Sequence, residues 1–439
     1  MVPTAASIIN SRHHRVGPDP RLRTELRTWT RRSTPQSGRS DALPSPSCAC
    51  ERLQCATVDV IYLDHAATTP CDPRVVEAML PYFGETFANA SSRLHRPGQA
   101  AATALEEQRA RVAEGLGAQS ATEIVFTSGA TESNNLALKG TAASGPATRR
   151  HIVTQVTEHA SVLEPLAQLE RRGFEITRVR VTPSGLVDLD ALREAVRDDT
   201  MLVSVMLANN ETGVIQPIRE IAGLAHQRGA LVHCDAAQAV GKIPVSVTDL
   251  DVDLLSLAAH KIHGPKGIGA LYIRRRSPVQ RLEPLLAGGG HEHGHRSGTP
   301  NLPGAVGLAT ALDLAIERLD VDAARIGALR DRFEASILAE RPDTVIHGVD
   351  APRLPGFSNL HFPGVDGSAL LMSLPDLALS SGSACTSGHP EPSRVLRAMG
   401  ETRRVAARAI RVSIGRGTTA GQTDRAAVRI LTEGNRLQR

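Results

Sequence analysis

Lysine is almost absent from this sequence: four residues of 439, at 139, 242, 261 and 266, against 46 arginines. Any chemistry that needs a reactive amine therefore has four candidates. Aromatic residues are nearly as scarce, at 3%, so aliphatic side chains must build the core. The six cysteines are too few and too scattered for a disulfide framework. Among them Cys48, Cys50 and Cys55 lack the further His or Cys that a zinc pattern needs. Such usage fits a reducing, cytoplasmic compartment with at least one working thiol. Long hydrophobic runs are missing too. MLVSVMLA (201–208) falls far short of the roughly 20 residues that cross a bilayer, so no membrane partner is expected.

The net charge of +4 is unevenly placed. Residues 1–57 hold nine Arg and four acids, and the remainder is left at −1, so nothing in the body calls for direct nucleic-acid contact. The first 57 residues are rich in Arg, Ser, Thr and Pro, without hydrophobic periodicity, and cannot bury enough apolar surface to fold alone. Organellar transit peptides share this composition, yet the repeated Pro argues against an amphipathic helix. The preference for Arg over Lys points to a GC-rich genome, in which Val58 or Val60 could be a GTG start. The favoured expectation is a disordered or spuriously translated extension.

From residue 60 apolar strands alternate with amphipathic helical stretches, as in a mostly parallel α/β sheet. Strands are expected at 61–70, 123–129, 151–156, 175–181, 201–207, 230–236, 254–258 and 269–275. Helices are expected at 98–116, 130–140, 161–172 and 218–228, with one or two over 302–340. A second strand set, as in GFSNLHF (356–362), opens a smaller C-terminal domain. Many nucleotide or cofactor enzymes would share this outline, so function must be read from sites.

TSGATES (127–133) puts a strand end before a helix start, where free N–H groups and the dipole favour a phosphate. Taken alone, an ordinary strand–helix junction explains it as well. It is not the G-x-G-x-x-G fingerprint, which disfavours a dinucleotide. In HCDAAQAVGK (233–242), Asp235 ends a buried strand. It is either a capping residue or the partner of a cation such as a pyridinium nitrogen. In SLAAHKIHGPKG (256–267), a strand delivers His260 and Lys261 into a Gly/Pro-rich turn. Pyridoxal-phosphate enzymes need one Schiff-base lysine. Lys139 sits at a helix C-terminus, and Lys242 and Lys266 in Gly-flanked turns, which leaves Lys261.

The body resembles the cysteine desulfurases, within the class V aminotransferase group of fold-type I pyridoxal-phosphate enzymes. The resemblance runs from about 61 to about 419. It is carried by YLDHAATTP, FTSGATESNNLALKG, TEHASVLEP, NNETGVIQPI, HCDAAQAVGKIPV, HKIHGPKGIGALYIRR, GGGHEHGHRSGTPN, LSSGSACTSG and RVSIGRGTT in that order. It implies an α/β fold: a large domain over 70–316 with a mostly parallel central sheet flanked by helices, holding pyridoxal 5'-phosphate. A smaller C-terminal α+β domain over 317–439 would carry the Cys loop, with 58–69 packing against it. L-cysteine would be converted to L-alanine through a cofactor-bound ketimine, with the sulfur left as a persulfide on Cys385.

Roles follow from the same resemblance. Lys261 forms the Schiff base and moves protons, Asp235 keeps the pyridine nitrogen protonated, and His159 stacks on the ring as acid or base. Asn210 and Gln238 bond the phenolic oxygen. Ala130 and Thr131, helped by His260, hold the phosphate, and Thr299 reaches a phosphate across a homodimer interface. Arg411, with Asn89, binds the substrate carboxylate. No metal is expected beyond a transient iron–sulfur contact at Cys385. The SSGSAC context resembles the longer-loop group, which serves iron–sulfur assembly and tRNA thiolation, so an iron–sulfur scaffold or a tRNA-thiolating enzyme is the expected sulfur acceptor.

Ala258 stands where the family usually has Ser, removing a phosphate contact worth about 1.5–3 kcal/mol unless replaced. Ser256 is the nearest substitute, but is not expected to reach. His293 stands where Arg is common. Rival readings are a selenocysteine lyase, a small-molecule aminotransferase, or a non-catalytic scaffold of the same fold; a dehydrogenase lacks its loop.

Overall fold

The computed structural model describes residues 60–275, 282–381 and 392–438. Residues 58–439 belong to one compact unit. The twelve strands among the described residues are β1 (Ile61–Tyr62), β2 (Ile124–Thr127), β3 (His151–Gln155), β4 (Glu175–Val179), β5 (Thr200–Ser204), β6 (Leu231–Asp235), β7 (Leu254–Ala258), β8 (Gly269–Ile273), β9 (Val345–Ile346), β10 (Phe357–His361), β11 (Leu377–Ala378) and β12 (Ile410–Ser413).

Seven of them form the central sheet, in the order β2-β8-β7-β6-β5-β3-β4. All its pairings are parallel except the two made by β8. The sequence explains the burial: HIVTQ, TMLVS, LLSLA and GALYI are buried at every position, as strands covered on both faces must be. Only β4, at one edge, is open to solvent over most of its length. The stretch expected as one or two helices over 302–340 is two, Leu302–Glu317 and Leu319–Glu340, which meet at Arg318.

A second, three-stranded sheet has the order β12-β10-β9, and β1 pairs with β11. Leu63, Phe333, Phe362, Val412 and Ile430 form its core with helices Leu319–Glu340 and Ala420–Gln438. The segment after β1 ties the two sheets together. Ser413 donates its N–H to the Leu63 carbonyl (2.7 Å) and its Oγ accepts from the Ala66 N–H (2.9 Å). Thr69 then donates its N–H to the His260 carbonyl (2.9 Å), at the end of β7.

One buried ion pair fastens the turn at 291–294 to the sheet. Arg109, on helix Arg96–Gly115, donates both terminal nitrogens to Glu292 at 2.5 and 3.0 Å. Glu292 also accepts the Phe126 N–H at 2.8 Å. The two side chains are 2% and 4% exposed. Without Glu292, Arg109 keeps only the half-exposed Glu106 as a counter-charge, so loss of the buried partner costs up to about 3–5 kcal/mol. Glu292→Ala should therefore lower the urea midpoint sharply, while the paired Arg109→Met/Glu292→Leu variant should recover most of the loss; an unchanged midpoint in the single variant would count against this role.

Candidate active site

Strands β2, β3, β5, β6 and β7 all point the same way, so the segments leaving their C-terminal ends gather at one edge. Ligands bind in the crevice at such an edge. A cleft of 840 Å³ opens there. It is lined by Ala130 and Thr131 after β2, His159 after β3, Asn210 after β5, Asp235 and Gln238 from β6 onward, and Ala258, His260 and Lys261 from β7. Arg411 on β12 and residues 64, 66 and 67 close the other side.

Lys261 leaves the short helical turn Ala259–Lys261 that follows β7. Its Nζ donates to the carbonyls of Ala66 (2.5 Å) and Ala67 (2.8 Å). Burial and the nearby Arg411 guanidinium pull the amine down to about 8, against the opposing fields of Asp235 and Asp64. A larger share is therefore uncharged near neutral pH than for an exposed lysine, and the uncharged amine is the nucleophile. Lys266 also lines the cleft.

Asp235 is buried at the end of β6, and both its oxygens accept hydrogen bonds. Ala237 donates its N–H to Oδ1 (3.0 Å), and Asn134 donates Nδ2 to Oδ2 (2.7 Å). Asn134 also donates to Ser161 Oγ (2.8 Å), so the Ser161 hydroxyl hydrogen is left for His159 Nδ1, 2.8 Å away. The Ser161 N–H points to the same nitrogen at 3.1 Å. With Nδ1 accepting twice, the proton of neutral His159 belongs on Nε2. Burial lowers the His159 pKa, reinforced by Lys261 and Arg394 and opposed by Asp235.

At the opposite end, the chain turns into a helix at Ala130 after Gly129, whose φ of +151° favours glycine. Gly269 on β8 permits this approach: a Cβ there would come within 2.7 Å of the Gly129 Cα. The Glu132 carboxylate accepts the Ser128 N–H (2.7 Å) and Arg296 Nε (3.0 Å), fixing the turn. The first-turn amides have no partners within the helix and carry its positive dipole end. His260 bonds Thr68 Oγ1 through Nδ1 at 3.1 Å. Burial, with Lys261 and Lys266, pushes its pKa down to about 4. It can therefore offer a phosphate a hydrogen bond but not a charge.

Arg411 donates Nη2 to Asp64 Oδ1 and Nη1 to the Asn210 carbonyl, both at 2.7 Å. Its Nε is buried with no partner among the described residues. Gln238 donates Nε2 to the Ala66 carbonyl (2.9 Å).

Two expected site residues, Asn89 and Thr299, lie elsewhere. Asn89 is exposed, accepts the Ser91 N–H, and is not among the residues lining the cleft. Thr299 lines an adjoining cavity of 150 Å³, which shares Ser128 and Gly267 with the cleft. Cys385 lies outside the described residues. Conversely, sequence reading gave no role to Asn134, Ser161, Asp64 or Lys242. The first two are small polar residues inside quoted motifs, and only their contacts distinguish them. Ala258 lines the cleft, whereas Ser256 is fully buried with its Oγ 3.0 Å from His233 Nε2, and so does not stand in for the missing hydroxyl.

These residues fit pyridoxal 5'-phosphate. Helix-start amides beside Lys266 suit its phosphate, a buried carboxylate suits a protonated ring nitrogen, and a depressed lysine lies in the same cleft. The orphaned Arg411 Nε is a donor with nothing to bond, as a site for an anion would leave it.

Residues 61–425 match the aminotransferase class-V family. The chain is 51% identical over 373 residues to "Cysteine desulfurase IscS" of Anaeromyxobacter sp. (strain Fw109-5), covering 85% of this chain and 92% of the relative. It is 47% identical over 378 residues to the protein of the same description from Rickettsia bellii (strain OSU 85-389), covering 86% and 92%. Among solved structures, a "NifS-like protein" superposes with a TM-score of 0.80 at 38% identity, covering 86% of this chain and all of that one. "SspA in complex with cysteine" gives 0.72 at 36% identity, covering 81% and 98%.

The depressed amine can be tested directly, because four lysines are easily mapped. Competitive acetylation should label Lys261 with a midpoint near pH 8, against about 10.4 for an ordinary lysine. Arg411→Met removes a repelling cation and should move that midpoint upward. A Lys261 that titrates with the exposed lysines would refute the cause given.

Proposed function

The chain belongs to the class-V aminotransferase family and is a cysteine desulfurase, and we propose that Cys385 receives the sulfur it removes from L-cysteine. The observation that carries this reading is the meeting of Lys261, Asp235 and His159 in one cleft whose wall continues to Ser380 and Ser381. Cys385 follows Ser381 by four residues, a reach of up to about 14 Å.

In this reading Ala130, Thr131 and Lys266 hold the phosphate of pyridoxal 5'-phosphate, and Asp235 holds its ring nitrogen. Bound there, the cofactor supplies an aldehyde that condenses with amines and a ring that withdraws electrons from the substrate Cα. Lys261 provides the amine. When free, it is held by the Ala66 and Ala67 carbonyls, close enough to neutrality to accept and return a proton. His159 has its Nδ1 fixed by Ser161, so Nε2 is the nitrogen available to donate a proton in the cleft. Arg411 offers its guanidinium edge to the substrate carboxylate, a partner that competes with Asp64. Asn210 and Gln238 contribute polar groups to the same wall. The Cys385 thiol takes the substrate sulfur: the Cβ–S bond of cysteine breaks, an S–S bond forms at Cys385, and alanine leaves with the thiol's hydrogen. The persulfide then passes to an acceptor protein, an iron–sulfur scaffold or a tRNA-thiolating enzyme.

We also read the enzyme as a homodimer. Leu80, Phe83, Phe87 and Leu94 are exposed together in one stretch of chain, an apolar surface that a second copy would cover. Thr299 lies beside the cleft rather than in it, which suits a residue serving a neighbouring site. Phe83→Glu with Phe87→Glu should yield a monomer by sedimentation that loses cofactor on dilution. A double variant that stays dimeric would remove this surface from consideration.

Incubation with cysteine should add one sulfur to the peptide spanning 376–394. Cys385→Ala should stay yellow and bleach with borohydride as Lys261 is reduced, but should release no sulfide. Retained sulfide release would reassign the acceptor thiol, and a wild type that remains colourless with added cofactor would refute the whole reading.

A further inference from the structure

Lys242 is a partly buried lysine outside the cleft that bonds a residue of its wall. Its Nζ donates to Gln238 Oε1 and to the Gln238 carbonyl, both at 3.0 Å. Among the described residues no carboxylate lies in ion-pair range of it; its other neighbour is the Phe357 ring, 5.6 Å away. Burial, Lys261 and Arg411 together bring it down to about 7. Charged or neutral, an amine of this kind can donate here, and that alone has a geometric consequence.

A glutamine amide can face either way, because its oxygen and nitrogen ends have the same shape. At Gln238 the choice is fixed. The donor Lys242 takes Oε1, which turns Nε2 away from it, where one hydrogen goes to the Ala66 carbonyl at 2.9 Å. The second hydrogen of Nε2 remains for the cleft that Gln238 lines. Without the amine, only the Ala66 carbonyl, already bonded by Lys261, holds this orientation, and the flipped one, which presents an acceptor to the ligand, becomes easier to reach. The Ala66 carbonyl also accepts from Lys261, so the same bond links Lys242 to the seat of the reactive amine.

We propose that Lys242 is a positioning residue: it locks the Gln238 amide with its donor toward the cleft, so the site recognises an anionic oxygen on its ligand. This rests on the reading that the cleft binds pyridoxal 5'-phosphate, whose ring oxygen is such an anion.

The experiment uses the full-length protein reconstituted with pyridoxal 5'-phosphate, reading the dissociation constant and the pH dependence of the absorption spectrum. Wild-type protein that fails to bind the cofactor sinks the underlying reading, independently of Lys242. Given binding, Lys242→Met should weaken it about ten-fold, the scale of one hydrogen bond to a charged group, and raise the pH at which the chromophore loses its proton. Lys242→Arg, which keeps a donor, should recover most of both. Gln238→Met should match Lys242→Met, and the double variant should be no worse than either. An additive double variant would mean that Lys242 acts by charge alone, and unchanged binding in Lys242→Met would mean that it has no such role; either overturns the proposal. Should Lys242→Met not fold, Lys242→Gln takes its place, since its amide no longer dictates the orientation; a wild-type spectrum there is equally fatal.

Discussion

Three cations, Lys242, Lys261 and Arg411, crowd into one buried region, and the rest of the site is arranged around that repulsion. Each lowers the proton affinity of a neighbour: Arg411 acts on Lys261, and both act on Lys242. Crowding of this kind costs stability, and several contacts limit the cost. Asp64 takes one arm of Arg411, backbone carbonyls take the Lys261 amine, and Gln238 with a phenyl ring takes Lys242. What remains is an amine far easier to deprotonate than its chemistry alone allows.

The scaffold for this arrangement was legible in the sequence because strands buried on both faces leave short, uncharged, apolar-rich runs. HIVTQ, TMLVS and LLSLA could hardly be surface elements, and the turn chemistry after each marked the edge where the site forms. Asp235 and Lys261 were legible for a related reason: a charged residue at the end of an apolar strand demands a partner. Asn134 and Ser161 left no such trace, since their significance is a hydrogen-bond relay between segments 27 residues apart. Lys242 was set aside because flanking glycine suggests an exposed turn. Close packing at Gly241, where a Cβ would approach Ala315 and Ile262 within 2.8 Å, leaves it partly buried instead.

The substitution at Ala258 has a local logic. The position two residues earlier is occupied by a serine, but His233 bridges it to Ser204, so this hydroxyl belongs to the core of the sheet. In the proposed reading the phosphate end would be left with helix-start amides, Lys266 and a His260 whose pKa burial pushes down to about 4. Anion binding at that end depends correspondingly more on backbone geometry, which Gly129, Gly269 and the Glu132–Arg296 brace hold in place.

Both flanks of the segment carrying Cys385 are fastened to the body. On one side Ser380 exchanges backbone hydrogen bonds with Arg411, at 2.7 and 3.3 Å. On the other, the Ser393 hydroxyl donates to the buried Glu211 carboxylate at 2.5 Å and its N–H reaches the Ala406 carbonyl. In the proposed reading, a thiol carried between these two points would meet the cleft beside Ser380 and Ser381 at an effective concentration on the order of millimolar, set by the length of chain and indifferent to dilution of the enzyme.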